Sequence, residues 1–79
     1  MDKEEILKKV QDIFKDVLED EDIELSYNTT SNDIEGWDSL NHIVLIVEIE
    51  EKFNFKFKLE EMRSFKNIGE MCDIILSDI

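Results

Sequence analysis

The chain has 79 residues, 21 acidic and 9 basic, so its formal net charge at pH 7 is -12. This charge excludes nucleic acid as the expected partner, because phosphate binding requires a basic face. It favours partner proteins that carry basic patches. With 42% hydrophobic residues, no proline and two glycines, residues 1–79 are expected to form one small domain. No apolar run is long enough to cross a bilayer and no signal peptide begins the chain, so we expect a cytoplasmic protein without membrane insertion.

The first predicted helix covers residues 3–18, where apolar residues recur every three or four positions. Acidic residues 19–22 oppose the helix dipole and are expected to end this helix. Residues 23–38 then form a long loop rich in turn-forming residues. Such a loop in a small domain is typically functional or held by its own side chains. The side chains expected to hold it are Ile23, Leu25, Tyr27, Ile34 and Trp37.

The second predicted helix runs from Ser39 to Phe53, with Asp38 as its N-cap. Its apolar residues fall on two faces. The face expected to join the core contains Leu45, Ile46, Ile49 and Phe53, with Ile43 at its edge. Leu40, Val44 and Val47 lie nearly opposite, followed one turn on by Glu51 and flanked by Glu48 and Glu50. This second face is predicted to be an exposed docking surface, because so small a domain can hardly bury both sides of one helix. The alternative is that the long loop covers it, with Trp37 or Ile34 as the lid.

The remainder of the chain predicts a short extended segment, a brief helix over residues 59–62 and a last helix that begins after Asn67. Asn67 and Glu70 have the spacing of a capping box. Cys72, the only cysteine, lies in the apolar stripe of this helix and is expected in the core. The expected fold is an all-α four-helix bundle, with three main helices, one short helix and the long loop between the first two.

Ser39 admits three interpretations from the residues alone. As a nucleophile it would need a base and an oxyanion hole; His42 is three residues away, but nothing else fits, and His42 is expected to be solvent-exposed. As a simple helix cap, it would belong to an acidic protein-interaction adaptor. As an attachment point, it would place a phosphate-linked group at a helix N-terminus, whose free amides stabilise an anion. Asp38 opposes such an anion unless a cation bridges the two.

The sequence Trp37-Asp38-Ser39-Leu40 resembles the Asp-Ser-Leu motif of acyl carrier proteins. The surrounding order is similar as well: an acidic first helix, a long loop, an acidic second helix, a short third helix and a closing helix over residues 68–76. The resemblance covers essentially the whole chain. It implies the carrier fold and a protein without catalytic activity of its own. The alternative that stays open is an acidic adaptor of the same fold without a prosthetic group.

The resemblance also implies a prosthetic group and partners. Ser39 matches the serine that carries 4'-phosphopantetheine, which a phosphopantetheinyl transferase moves from coenzyme A using Mg2+. The thiol of that arm then holds an acyl or aminoacyl group as a thioester. Partner enzymes with basic patches would load and unload a monomeric carrier. The docking residues implied are Trp37, Asp38, Leu40, Val44, Val47, Glu48 and Glu51.

Several positions depart from the pattern of general fatty-acid carriers. Asn41 and Val44 stand where those carriers usually have acids, and Trp37 replaces a small residue. Lys56 and Lys58 add positive charge. The docking face is therefore more apolar and less acidic than in those carriers. We expect a free-standing carrier of a specialised pathway, such as a polysaccharide, lipid-modification or natural-product cluster.

Overall fold

The computed structural model describes residues 2–64 and 66–79 and contains four helices, with no strand in these two ranges. They are α1 (Lys3–Val17), α2 (Ser39–Phe53), α3 (Leu59–Ser64) and α4 (Ile68–Asp78). The predicted all-α fold is confirmed, and α2 has the predicted bounds. Helix α3 is two residues longer than predicted. Within the described residues, no helix has both the length and the apolar character needed to cross a bilayer.

The core lies where α1 packs against both α2 and α4. The predicted apolar stripes of these helices supply it, because each stripe places the apolar side of its helix toward this core. Its fully buried side chains are Ile6, Val10, Phe14, Leu45, Ile49, Ile68, Met71, Cys72 and Ile75. Cys72 is thus a core residue, as predicted, and burial raises the pKa of its thiol to about 11.

The long loop is held against this core by most of the side chains expected to hold it. Ile23, Leu25 and Trp37 are buried, and Ile34 is half-buried against the core. Tyr27 is the exception, because 38% of it stays exposed. Its ring instead lies 4.5 Å from the ammonium group of Lys3, a distance at which a cation is attracted to an aromatic face.

The first amides of α4 also hold the loop. The N–H of Ile68 donates to the carbonyl of Thr29 at 2.9 Å, and the N–H of Gly69 donates to that of Tyr27 at 2.8 Å. A Cβ at position 69 would lie 2.8 Å from the same Tyr27 oxygen. Glycine is therefore required there by the close approach of the loop backbone, which the sequence did not reveal.

The cap of α4 has the predicted residues with one changed bond. The side-chain oxygen of Asn67 accepts from the N–H of Glu70 at 2.9 Å. The Glu70 carboxylate reaches back to the N–H of Lys66 at 3.3 Å, one residue before the cap. The Glu70 side chain therefore still satisfies a backbone donor at the entry to the helix.

Candidate functional site

Ser39 is the first residue of α2 and is exposed. Asp38 precedes it in an extended conformation, and one Asp38 carboxylate oxygen accepts from the N–H of Asn41 at 2.8 Å. Asp38 is thus the N-cap that the sequence predicted. The cap is supplied by the neighbouring aspartate, so Ser39 does not have to cap the helix and its side chain stays accessible.

The turn before Ser39 is fixed by a residue whose role the sequence analysis missed. The side-chain amide of Asn41 donates to the carbonyl of Gly36 at 2.8 Å. Gly36 has a φ of 89°, a left-handed conformation that glycine adopts without strain. A signal existed, because Asn41 is the third residue after the cap, and side chains at that position often reach back to the preceding backbone. Asn41 therefore joins the first turn of α2 to the loop.

Trp37 is not part of an exposed surface, which corrects its assignment as a docking residue. It is only 9% exposed. Its ring meets the ring of Phe14 edge-on, with 4.9 Å between centroids and 89° between planes. Edge-on contact is a favoured arrangement for aromatic rings, and the large indole gains most by burial. Trp37 therefore belongs to the core, on the side where the loop joins α2.

His42 is half-buried, which corrects the expectation of a solvent-exposed residue. The indole N–H of Trp37 donates to its Nδ1 at 3.0 Å, and its Nε2 lies 3.3 Å from the carbonyl oxygen of Met62. The indole nitrogen can only donate, so Nδ1 must accept and the neutral ring carries its proton on Nε2. Trp37, His42 and Met62 thus form one polar bridge, which joins the loop, α2 and α3.

The two faces of α2 differ as predicted in their exposure. Leu45, Ile46, Ile49 and Phe53 are buried. We call the opposite set the apolar strip; its exposed fractions are Leu40 74%, Ile43 63%, Val44 42% and Val47 46%. Ile43 joins this strip rather than the edge of the core. The loop does not cover it, because Trp37 turns into the core and Ile34 packs against the core. The acidic side chains Asp38, Glu48 and Glu51 are also exposed.

An open groove of about 610 Å³ lies beside Ser39. Trp37 and His42 border it where the polar bridge closes the core. Asp38 and Lys66 also border it, so both signs of charge are present at one groove. Among the described residues, its lining is Ser31, Trp37, Asp38, Ser39, His42, Met62 and Lys66. A group attached to Ser39 would have this groove as its nearest shelter.

Comparison with known proteins identifies a family for this fold and site. A family model described as a phosphopantetheine attachment site matches residues 8–75. An acyl carrier protein of Cyanidium caldarium is 37% identical over 79 residues, covering 98% of this chain and 90% of that relative. One from Rubrobacter xylanophilus is 33% identical over 76 residues, covering 96% and 94% respectively. The solved holo acyl carrier protein of Geobacter metallireducens has a TM-score of 0.85 at 39% identity, covering 91% of this chain and 83% of that one.

The chain belongs to the acyl carrier protein family. It is a carrier of acyl groups on covalently bound 4'-phosphopantetheine and not an enzyme in its own right. Its work requires a phosphopantetheinyl transferase and biosynthetic enzymes as partners. The resemblance noted in the sequence is thereby confirmed at the level of the family, the fold and the prosthetic group.

Proposed function

We propose that Ser39 is the residue that carries 4'-phosphopantetheine. One observation carries the proposal: Ser39 is exposed at the first position of α2, while Asp38 supplies the helix cap. The family model spans this position, and the residues around it have the Asp-Ser-Leu order. An exposed hydroxyl at a helix N-terminus is accessible to a transferase, and its product is an anion in a favourable field.

The charges around Ser39 suit a phosphodiester. The N-terminal end of α2 attracts an anion, whereas the Asp38 carboxylate repels it. Lys66 borders the same groove and brings a compensating positive charge. In the modification the Ser39 oxygen bonds to the coenzyme A phosphorus that bears the pantetheine arm. The phosphoanhydride bond to the other phosphorus breaks, adenosine 3',5'-bisphosphate leaves, and the hydroxyl proton passes to a base of the transferase. The prosthetic group supplies a thiol that holds the cargo as a thioester.

We further propose that the apolar strip is the docking surface for partner enzymes. Its four exposed side chains are edged by the exposed acids Asp38, Glu48 and Glu51. An apolar centre with a charged rim is typical of transient protein interfaces. The acids would steer partners that carry basic patches, and the net charge of -12 strengthens that attraction at long range. A single copy of the chain suffices for this role, so we propose a monomer.

The chemistry of the strip also supports a specialised pathway. Val44, 42% exposed, gives the centre of the surface an apolar side chain. Asn41 uses its side chain on the Gly36 carbonyl and contributes no charge to partners. Partners suited to this surface therefore need an apolar complement as well as basic residues. Such a requirement fits dedicated enzymes better than the broad set that general fatty-acid synthesis employs.

The modification is tested by intact-protein mass. The purified chain is incubated with coenzyme A, Mg2+ and a broad-specificity phosphopantetheinyl transferase. We expect a gain of one phosphopantetheine, lost in Ser39→Ala. Ser31→Ala is the matched control, because Ser31 borders the same groove and is also exposed, so that variant should still be modified. A folded wild-type chain that gains no mass would reject Ser39 and favour the acidic adaptor.

A further inference from the structure

We propose that this carrier holds its cargo outside the helical core, as a short or polar acyl group in the groove beside Ser39, and that the Trp37–His42–Met62 bridge imposes this limit. The inference rests on the proposed attachment at Ser39. A carrier can shelter a cargo between its helices or leave it at the surface. The described contacts around Ser39 favour the second arrangement here.

The floor of the groove is closed by packed side chains. Trp37 lines the groove and is 9% exposed, and directly behind it the fully buried Phe14 meets its ring at 4.9 Å. Leu45 and Ile49 of α2 are fully buried as well. Close-packed interiors leave no room for an added chain unless side chains move. A long aliphatic cargo that enters from this groove must therefore displace the indole.

The polar bridge makes that displacement costly. The Trp37 indole N–H donates to His42 at 3.0 Å, and His42 in turn reaches the Met62 carbonyl at 3.3 Å. Insertion of a chain between α2 and α3 would separate these groups and surround them with hydrocarbon. Leaving a buried donor without an acceptor costs free energy, and an apolar cargo offers no hydrogen bond to offset that cost. His42 thus acts as a positioning residue that keeps Trp37 across the floor.

The rim of the groove favours a different cargo. Ser31, Asp38 and Lys66 are exposed and polar, and they surround the approach to the floor. These groups offer hydrogen bonds and charges of both signs to a polar acyl group. The apolar part of the lining comes instead from Trp37 and Met62, which the bridge holds in place. The exposed rim of the groove therefore suits a short acyl group, or one with hydroxyl, amino or carboxyl groups, better than a long aliphatic chain that must pass the bridge.

The test attaches the cargo chemically at position 39, without the transferase. In the Ser39→Cys variant the introduced thiolate displaces bromide from a bromoacetyl-pantetheine arm that ends in either a two-carbon or a twelve-carbon acyl amide. The native Cys72 stays unmodified at neutral pH, because it is fully buried with a raised pKa. We then record the NMR resonance of the Trp37 indole N–H and the melting temperature. Trp37 is the only tryptophan, so its signal is unambiguous.

We expect both cargoes to leave the indole resonance unchanged and to give the same melting temperature within about 1 °C. In His42→Ala, added to the same variant, the twelve-carbon cargo alone should shift the indole resonance and raise the melting temperature. His42→Gln, whose side chain can still accept the indole hydrogen bond, should again show no response of either measurement to the twelve-carbon cargo. Ile43→Ala is the matched control at an exposed neighbour on the same helix.

Two results would overturn the proposal. One is contact between the twelve-carbon cargo and core methyl groups, such as those of Leu45, in the chain with His42 intact. The other is a folded His42→Ala variant in which the twelve-carbon cargo still changes neither the indole resonance nor the melting temperature. That result would show that the bridge does not keep the cargo out of the core. Neither depends on the transferase, so a failure to modify Ser39 in the mass experiment would reject the attachment site separately.

Discussion

Helix α2 carries apolar side chains on two faces, and the fold treats the two faces differently. One face, Leu45, Ile46, Ile49 and Phe53, is buried against the other helices. The other, the apolar strip, keeps between 42% and 74% of each side chain exposed. Both faces contain the same kinds of residue, so hydrophobicity alone does not distinguish them. The difference follows from which side α1 and the loop cover.

The comparison shows that an apolar residue can serve stability or binding according to its neighbours. A buried side chain contributes to folding because its surface leaves water when the chain folds. An exposed one gains that contribution only when a partner covers it. We therefore expect substitutions on the first face to change the free energy of unfolding, and substitutions on the strip to change association with partners.

The largest effect is expected on the buried face. Ile49→Ala should lower the free energy of unfolding by roughly 2–5 kcal/mol, because it removes a fully buried side chain and leaves a cavity. Urea denaturation followed by circular dichroism measures it. Val44→Ala on the opposite face is the matched control and should change that free energy by about 0.5 kcal/mol or less. Equal losses in the two variants would remove the distinction between the faces.

The reactivity of the Cys72 thiol tests whether the part of the core that α4 supplies is closed to solvent as well. Burial raises the pKa of its thiol from 9.0 to about 11, so the reactive thiolate should be roughly a hundredfold scarcer than for an unperturbed thiol. Iodoacetamide at pH 8, with the adduct followed by mass, should alkylate it slowly. The introduced thiol of Ser39→Cys provides the fast reference, because position 39 is exposed. Equal rates in the folded chain would show that the core opens readily.

Gly69→Ala extends the comparison to the loop that covers the buried side. The added Cβ would meet the Tyr27 carbonyl oxygen at 2.8 Å, so the loop backbone must move. We expect a loss of roughly 1–3 kcal/mol in the free energy of unfolding, despite the better helix propensity of alanine. Ser77→Ala, at an exposed position of the same helix, should be nearly neutral. A stabilised Gly69→Ala would mean that the loop is not held at this point.

The smallest effect on stability is expected on the strip, together with a clear effect on binding. Val44→Arg should leave the free energy of unfolding within about 0.5 kcal/mol, because the position is 42% exposed. It should raise the KM of the phosphopantetheinyl transferase for this carrier, since it places a positive charge where a basic partner docks. A loss of several kcal/mol would instead place Val44 in the core, and an unchanged KM would separate the strip from transferase docking.

The helices and the position of Ser39 could be predicted from local patterns. The period of the apolar residues specified the stripes of α1, α2 and α4, and Asp38 and Asn67 marked two helix starts correctly. These features depend on neighbours within a few positions of the chain. The hydrogen bond from Asn41 to the Gly36 carbonyl could not be predicted in the same way, because it depends on the turn that the loop makes before α2.

Trp37 and His42 show where local reasoning fails. Both lie beside Ser39 in sequence. His42 was expected to be exposed, and Trp37 was expected both to hold the loop and to belong to the docking surface. In the structure Trp37 packs on Phe14, 23 positions earlier, and His42 reaches Met62, 20 positions later. No local pattern encodes those partners. The Trp37–His42 hydrogen bond spans only five positions, but the burial of the pair requires α1 to supply Phe14 and α3 to supply the Met62 carbonyl.

The sequence by itself determined the helix content, the two apolar faces of α2 and the family motif around Ser39, because helix periodicity and capping are short-range properties. Only the tertiary structure decided that the loop leaves the second face of α2 uncovered and which residues close the groove beside Ser39. Those outcomes depend on contacts between α1, the loop, α2 and α3, which lie far apart along the chain. Gly69 has the same explanation, since its lack of a side chain matters only because the Tyr27 backbone lies against it.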